Sequence, residues 1–130
     1  VFFQSTPIDS HSFETSSSNH LEAEDLEAIV AGCPNLVKLN LQANSAIYDS
    51  GFIQLSRLNQ LEVVNLLCND DIGDRALIAL ANLPVLREIY LGPAKITTAG
   101  FSYFIQQRCS TLTFLVTQSY HVSELKNSLI

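Results

Sequence analysis

The strongest constraint in this sequence is a leucine frame that recurs at nearly equal intervals. It first occurs in CPNLVKLNLQAN, residues 33–44, as L-x-x-L-x-L-x-x-N. It returns 25 residues later, again after another 25, and in part after 26 more. The positions that fill it are Leu36, Leu39, Leu41 and Asn44; Leu61, Val64, Leu66 and Asn69; Leu86, Ile89, Leu91 and Ala94; and Leu112 and Leu115. One structural unit therefore occurs several times, and neighbouring units are expected to stack and share a core.

Between the leucine frames, the apolar spacing changes from that of a strand to that of a helix. Inside each frame apolar residues alternate, whereas in the following segments they recur at helical intervals. These segments are IYDSGFIQLSRL, IGDRALIALANL and ITTAGFSYFIQQRC. Each unit is predicted to be a short strand followed by a helix, which places the chain in the α/β class.

The repeat resembles the cysteine-containing subclass of leucine-rich repeats. The matching positions are Cys33, Cys109, Ile47, Asp49, Gly51 and Phe52. The resemblance covers about residues 21–120. It implies a leucine-rich-repeat solenoid, a right-handed βα superhelix with a parallel sheet on the concave face and helices on the convex face. The sequence departs from the subclass where Asn44 and Asn69 replace the second cysteine.

This subclass often occurs in proteins that resemble F-box substrate receptors of ubiquitin ligases. In those receptors the repeats hold the target protein and a separate F-box recruits the ligase. No stretch of this chain has the pattern of an F-box helical bundle. The resemblance therefore implies a ligase role only through a longer parent protein or a partner chain.

The asparagines and cysteines of the frame are predicted to be structural. A side-chain amide directly after a strand, as at Asn44 and Asn69, can bond backbone groups of a turn buried between units. Three cysteines without a C-x-x-C pair give no disulfide framework, so Cys33, Cys68 and Cys109 are expected to be buried, reduced thiols. Together with the absence of an N-x-S/T sequon, this favours an intracellular location, cytoplasmic or nuclear.

Both ends of the chain depart from the repeat. Residues 1–20 are rich in Ser and Thr. They are expected to form a divergent N-terminal repeat or cap, in preference to a flexible tail, because terminal repeats are usually atypical. Two strand registers are open, one that uses both Ile8 and Phe13 and one with Phe13 in the middle position. Residues 121–130 are expected to form a C-terminal cap helix or a truncated repeat, and the lack of any methionine indicates a processed chain or a fragment.

Residues 21–32 predict an amphipathic helix. Its apolar side chains fall on one face, and the acidic side chains fall mostly on the other. The acidic residues are Glu22, Glu24, Asp25 and Glu27. Carboxylates in a first turn suit the helix dipole. We therefore expect a solvated helix face here, in preference to an acidic docking patch.

Composition and motifs argue against several classes of function. The net charge of −6 and the scattered positions of the seven basic residues argue against nucleic-acid binding. No apolar run approaches the roughly 20 residues of a membrane span. The three histidines lie far apart, and no Ser, Cys or His has the context of an activated nucleophile. We therefore expect no enzyme activity, cofactor, metal or small-molecule substrate.

The residues between the frame leucines are expected to point away from the core and to line the concave face. In the later units these positions hold apolar and aromatic side chains, and an exposed apolar strip with a polar rim is typical of a contact site. The predicted partner-binding residues are Lys38, Asn40, Gln42, Val63, Asn65, Leu67, Glu88, Tyr90, Phe114, Val116 and Gln118. The alternative is that a cap or a further repeat covers this strip.

These observations predict a non-catalytic protein–protein interaction module. The substrate-recognition part of a ubiquitin-ligase receptor is the more specific role that the resemblance implies. The alternative prediction is a structural or assembly subunit of a larger multiprotein complex, in which both faces of the repeat stack would be occupied.

Overall fold

Five short strands lie side by side, in chain order, within the residues that the computed structural model describes. These residues are 12–14, 21–44, 47–92, 95–108 and 112–117. The strands are β1 (Ser12–Glu14), β2 (Lys38–Asn40), β3 (Val63–Leu66), β4 (Glu88–Leu91) and β5 (Phe114–Thr117). Each strand pairs in parallel with the next. The chain therefore has the predicted α/β class, with a parallel sheet.

The strand register follows the period of the leucine frame. The middle positions of the strands, which pair in this order, are Phe13, Leu39, Val64, Ile89 and Leu115. Phe13 thus occupies the middle of β1, which is the second of the two registers open from the sequence. Ile8 and residues 121–130 lie outside the described residues.

Helices pack against one side of the sheet and share a single core with it. They are α1 (Ala23–Gly32), a 3-10 helix (Asp49–Arg57), α2 (Asp74–Ala81) and α3 (Thr98–Arg108). They lie side by side in chain order, since the 3-10 helix contacts both α1 and α2, and α2 contacts α3. Parallel strands require such crossing segments, because a tight turn can join only antiparallel neighbours.

The core consists of the frame positions and the apolar faces of the helices. The nine frame positions of the three complete units are at most 2% exposed: Leu36, Leu39, Leu41, Leu61, Val64, Leu66, Leu86, Ile89 and Leu91. Phe52, Leu77 and Phe104 fill the space from the helix side and are fully buried. The burial of alternate strand residues confirms the predicted strand periodicity.

The second helical segment differs from its neighbour in helix type. DSGFIQLSR forms a 3-10 helix, whereas the equivalent DRALIALA forms an α-helix. Gly51, Gln54 and Ser56 replace three alanines of α2, and alanine has the highest intrinsic α-helix propensity. The buried residues of the segment recur at every third position, which suits three residues per turn: Phe52, Leu55 and Leu58.

A pair of buried asparagines links successive turns. The side-chain amides of Asn44 and Asn69 both donate to the carbonyl oxygen of Leu41, at 2.8 and 2.9 Å. The Oδ1 of Asn69 accepts the N–H of Asn44 at 3.1 Å, and the Oδ1 of Asn44 accepts the N–H of Leu21 at 3.2 Å. Both asparagines are at most 1% exposed. Their amides therefore satisfy backbone groups that water does not reach.

The residue before each of these asparagines adopts a left-handed conformation. Ala43 has φ 62° and Cys68 has φ 61°. The prediction that Cys68 is buried is wrong, because its side chain is exposed at this turn while Asn69 takes the interior position. Cys33 is half-buried against the edge of the core, and Cys109 lies outside the described residues.

Carboxylates also connect neighbouring helical segments. The Asp49 Oδ1 accepts the N–H of Ala76 at 3.0 Å, in the first turn of α2. The Asp74 carboxylate accepts the N–H of Thr97 at 2.9 Å and its hydroxyl at 2.6 Å, just before α3. A Cβ at Gly100 would overlap the Asp74 carboxylate. The I-x-D-x-G phrase of the sequence is therefore a contact between one unit and the next.

Candidate functional site

The side of the sheet away from the helices, here called the outer sheet face, carries the predicted partner-binding positions. Strand pairing places Lys38, Val63, Glu88 and Phe114 in one row. It places Asn40, Asn65, Tyr90 and Val116 in the next row. For Phe114 and Val116 the structure describes the backbone positions only, and Gln118 lies outside the described residues. The sheet thus brings together residues that lie 25 or 26 positions apart.

A shallow hollow of about 220 Å³ lies on this face. Its lining residues are Ser12, Phe13, Lys38, Leu39, Asn40, Val63, Asn65 and Tyr90. The apolar part comes mainly from Val63 and Tyr90, and the amides of Asn40 and Asn65 stand beside them. An apolar floor next to oriented polar groups is the composition of a contact site.

The apolar residues of the outer sheet face are less exposed than the sequence alone predicts. Val63, Leu67 and Tyr90 are half-buried, whereas Lys38 and Gln42 are exposed. Neighbouring strands lie only about 4.8 Å apart, so adjacent side chains cover one another. The strip predicted as openly exposed is therefore a set of partly sheltered positions between polar ones.

The amides of this face are held in fixed orientations. The Oδ1 atoms of Asn40 and Asn65 accept the N–H groups of Gln42 and Leu67, both at 3.0 Å. The Nδ2 of Asn65 donates to the Oε1 of Gln42 at 3.3 Å, which joins the two strands. Because each asparagine side chain is fixed by its own strand end, a partner meets oriented polar groups and loses less entropy in ordering them.

A charged network fixes the tyrosine of this face. The hydroxyl of Tyr90 donates to Glu88 Oε2 at 3.2 Å, and Arg87 bonds Glu62 at 2.9 Å and Glu88 at 2.7 Å. Desolvation, followed by the charge of Glu88, raises the pKa of Tyr90. The hydrogen bond to Glu62 is the largest contribution that raises the pKa of Arg87. Tyr90 is therefore a neutral hydrogen-bond donor at neutral pH, and its ring orientation is restrained by Glu88.

The ion pairs of this network are partly exposed, so they orient side chains more than they stabilise the fold. Sequence reasoning missed them. The available signal was that Glu62 and Arg87 have opposite charges and lie 25 residues apart. In a chain with this period, that separation places them on adjacent strands.

The outer surface of the helix layer, here called the helix face, is a second candidate that sequence reasoning did not identify. It carries Ile53 at 43% exposure, Ile78 at 48% and Tyr103 at 43%. A groove of about 320 Å³ is lined by Ile53, Ser56, Arg75, Ile78, Ala79 and Asn82. The two isoleucines lie 25 residues apart, so adjacent helical segments present the same apolar residue to solvent.

Other kinds of site were compared with the same part of the chain. Among the described residues, no group of three or more His, Cys, Asp or Glu side chains could hold a metal ion. Within residues 12–14, 21–44, 47–92, 95–108 and 112–117, no helix is long and apolar enough to cross a membrane. The chain matches no protein-family model, and a comparison with curated proteins gives no match.

Proposed function

We propose that this chain is a stack of leucine-rich repeats that binds a protein partner on its outer sheet face. In this proposal the stack is a right-handed βα solenoid, and the outer sheet face is its concave side. The observation that carries the binding role is the hollow on this face, where Val63 and Tyr90 lie beside the fixed amides of Asn40 and Asn65. Tyrosine is enriched among residues that dominate binding energy at interfaces.

Three regularities support the repeat assignment. The strands pair at equivalent frame positions, the asparagines bond equivalent turns, and aspartates of one unit contact the start of the next helical segment. Connections between parallel neighbouring strands are right-handed in about 98% of cases, which supports the handedness of the solenoid.

The size of the hollow favours a protein over a small molecule as the ligand. Pockets for small molecules usually hold about 300–1,000 Å³ and enclose most of the ligand. The hollow here is about 220 Å³ and shallow, which suits an apolar side chain projecting from a protein surface. A ubiquitin-ligase target is the partner class that the resemblance to F-box receptors implies, with the F-box supplied by another segment or chain.

The proposal is tested by affinity capture with a double variant. Val63→Ala with Tyr90→Ala removes the apolar part of the hollow without changing a core leucine. We expect the captured partner to bind at least about 30-fold more weakly, which corresponds to about 2 kcal/mol for a hot spot. Tyr103→Ala, an exposed tyrosine on the helix face, is the matched control. Circular dichroism verifies folding.

Undiminished capture by the folded double variant would contradict the binding role of this face. Loss of capture in the Tyr103→Ala variant as well would favour the alternative, an assembly subunit whose two faces are both occupied.

A further inference from the structure

The helix face has opposite charges on either side of an apolar centre. Glu24 and Glu27 are exposed on α1, and Arg75 is exposed on α2. Ile53, on the 3-10 helix that lies between α1 and α2, is 43% exposed, and Ile78 on α2 is 48% exposed. A surface of this composition is complementary to a second surface with the same arrangement in the opposite order.

The repeat places these residues at matching heights on the helix face. Leu26 on α1, Phe52 on the 3-10 helix and Leu77 on α2 are the equivalent buried positions, each fully buried. Counting from them, Glu24 and Arg75 are both two residues earlier. Glu24 and Arg75 therefore lie at the same level, one helix to either side of the 3-10 helix.

These charges have no partner within the described part of the chain. Arg87 pairs with Glu62 and Glu88, and Lys95 pairs with Asp71. In contrast, no ion pair joins Glu24 or Arg75 to another described residue. Both charges therefore remain available to an external surface.

We propose that two copies of this chain associate through their helix faces, about a two-fold axis that runs along the 3-10 helix. A two-fold axis in this position exchanges the helices on its two sides, so the contact is self-complementary. Ile53 of one copy then packs on Ile53 of the other. Glu24 of each copy faces Arg75 of the other, which gives two equivalent ion pairs around an apolar centre. This contact lies on the opposite side of the molecule from the proposed partner-binding face.

The size of the contact sets its strength. Helices of this length extend about 15 Å, and three neighbours about 8–10 Å apart span about 25 Å. The resulting area is on the order of 400 Å² per copy, below the roughly 800 Å² of a standard stable interface. The net charge of −6 on each copy also opposes association. The dimer is therefore a weak one that forms reversibly with concentration.

The test is sedimentation velocity over a range of protein concentrations with two charge reversals. Arg75→Glu and Glu24→Arg each place like charges across both symmetric contacts, so each variant alone should self-associate at least about tenfold more weakly than the wild type. An equimolar mixture of the two variants restores opposite charges at both contacts and should dimerise. Lys38→Glu is the control, because it makes the same change in net charge as Arg75→Glu on the outer sheet face.

Circular dichroism of each variant verifies that the fold is retained, as expected for substitutions of exposed side chains. A wild-type chain that stays monomeric at about millimolar concentration would overturn the proposal. So would a mixture that fails to dimerise, or a Lys38→Glu chain that dissociates as fully as Arg75→Glu.

Discussion

Asn69 is the side chain whose removal should most specifically damage the stack. Its Nδ2 donates to the carbonyl oxygens of Leu41 at 2.9 Å and Leu66 at 3.1 Å, and its Oδ1 accepts the N–H of Asn44 at 3.1 Å. These three hydrogen bonds are buried, and a buried hydrogen bond contributes about 1 kcal/mol net. Asn69→Ala should therefore lower the free energy of unfolding by about 3 kcal/mol. That is a large part of the roughly 5–15 kcal/mol typical of a domain.

The measurement is equilibrium unfolding in urea, followed by circular dichroism. Asn65→Ala is the matched control, since Asn65 lies on the same strand but its hydrogen bonds are partly or fully exposed. It should cost less than about 1 kcal/mol. Asn69→Cys should be milder than Asn69→Ala, because a thiol keeps part of the volume and is a weak donor. Equal losses for Asn69→Ala and Asn65→Ala would refute the role assigned to the buried amides.

Three smaller perturbations test the turns and helix starts. Gly100→Ala should lower stability because its Cβ would displace the Asp74 carboxylate, and adding Asp74→Ala should recover part of the loss; equal additive losses in urea unfolding would contradict this. Cys68→Gly should be about 1 kcal/mol more stable than Cys68→Ala, since φ is 61° there, and the reverse order would exclude left-handed strain. The hydrogen bond from Lys95 lowers the pKa of Asp71, so the folded state favours its charged form. The stability difference between wild type and Asp71→Asn should be present at neutral pH and disappear as the pH falls below about 4, and a difference independent of pH would contradict the pairing.

The parts of the fold that the sequence predicts are those fixed by periodicity. Leu39, Val64 and Ile89 lie in the middle of alternating apolar patterns, and such alternation determines which face of a strand is buried. Because the interval between units is nearly constant, the same pattern also predicts which strands are neighbours. The lateral rows of the outer sheet face follow from this register alone.

The features that the sequence does not predict depend on local backbone conformation or on neighbours in space. Cysteine at position 68 gives no sign of a left-handed turn, because glycine and asparagine are the usual residues there. Ile53 follows the fully buried Phe52 and has the character of a core residue, yet it is 43% exposed. Only the packing of the helical segments shows that this position faces outward.

Site-specific photo-crosslinking tests the central claim, that the outer sheet face is the partner-binding surface, most directly. Benzoylphenylalanine replaces Tyr90 in one sample and Tyr103 in another, and both samples are irradiated with cell extract. The proposed function predicts a covalent adduct with another protein from position 90 that is absent from position 103, with adducts identified by mass spectrometry. An adduct with that protein from position 103 alone would contradict the claim.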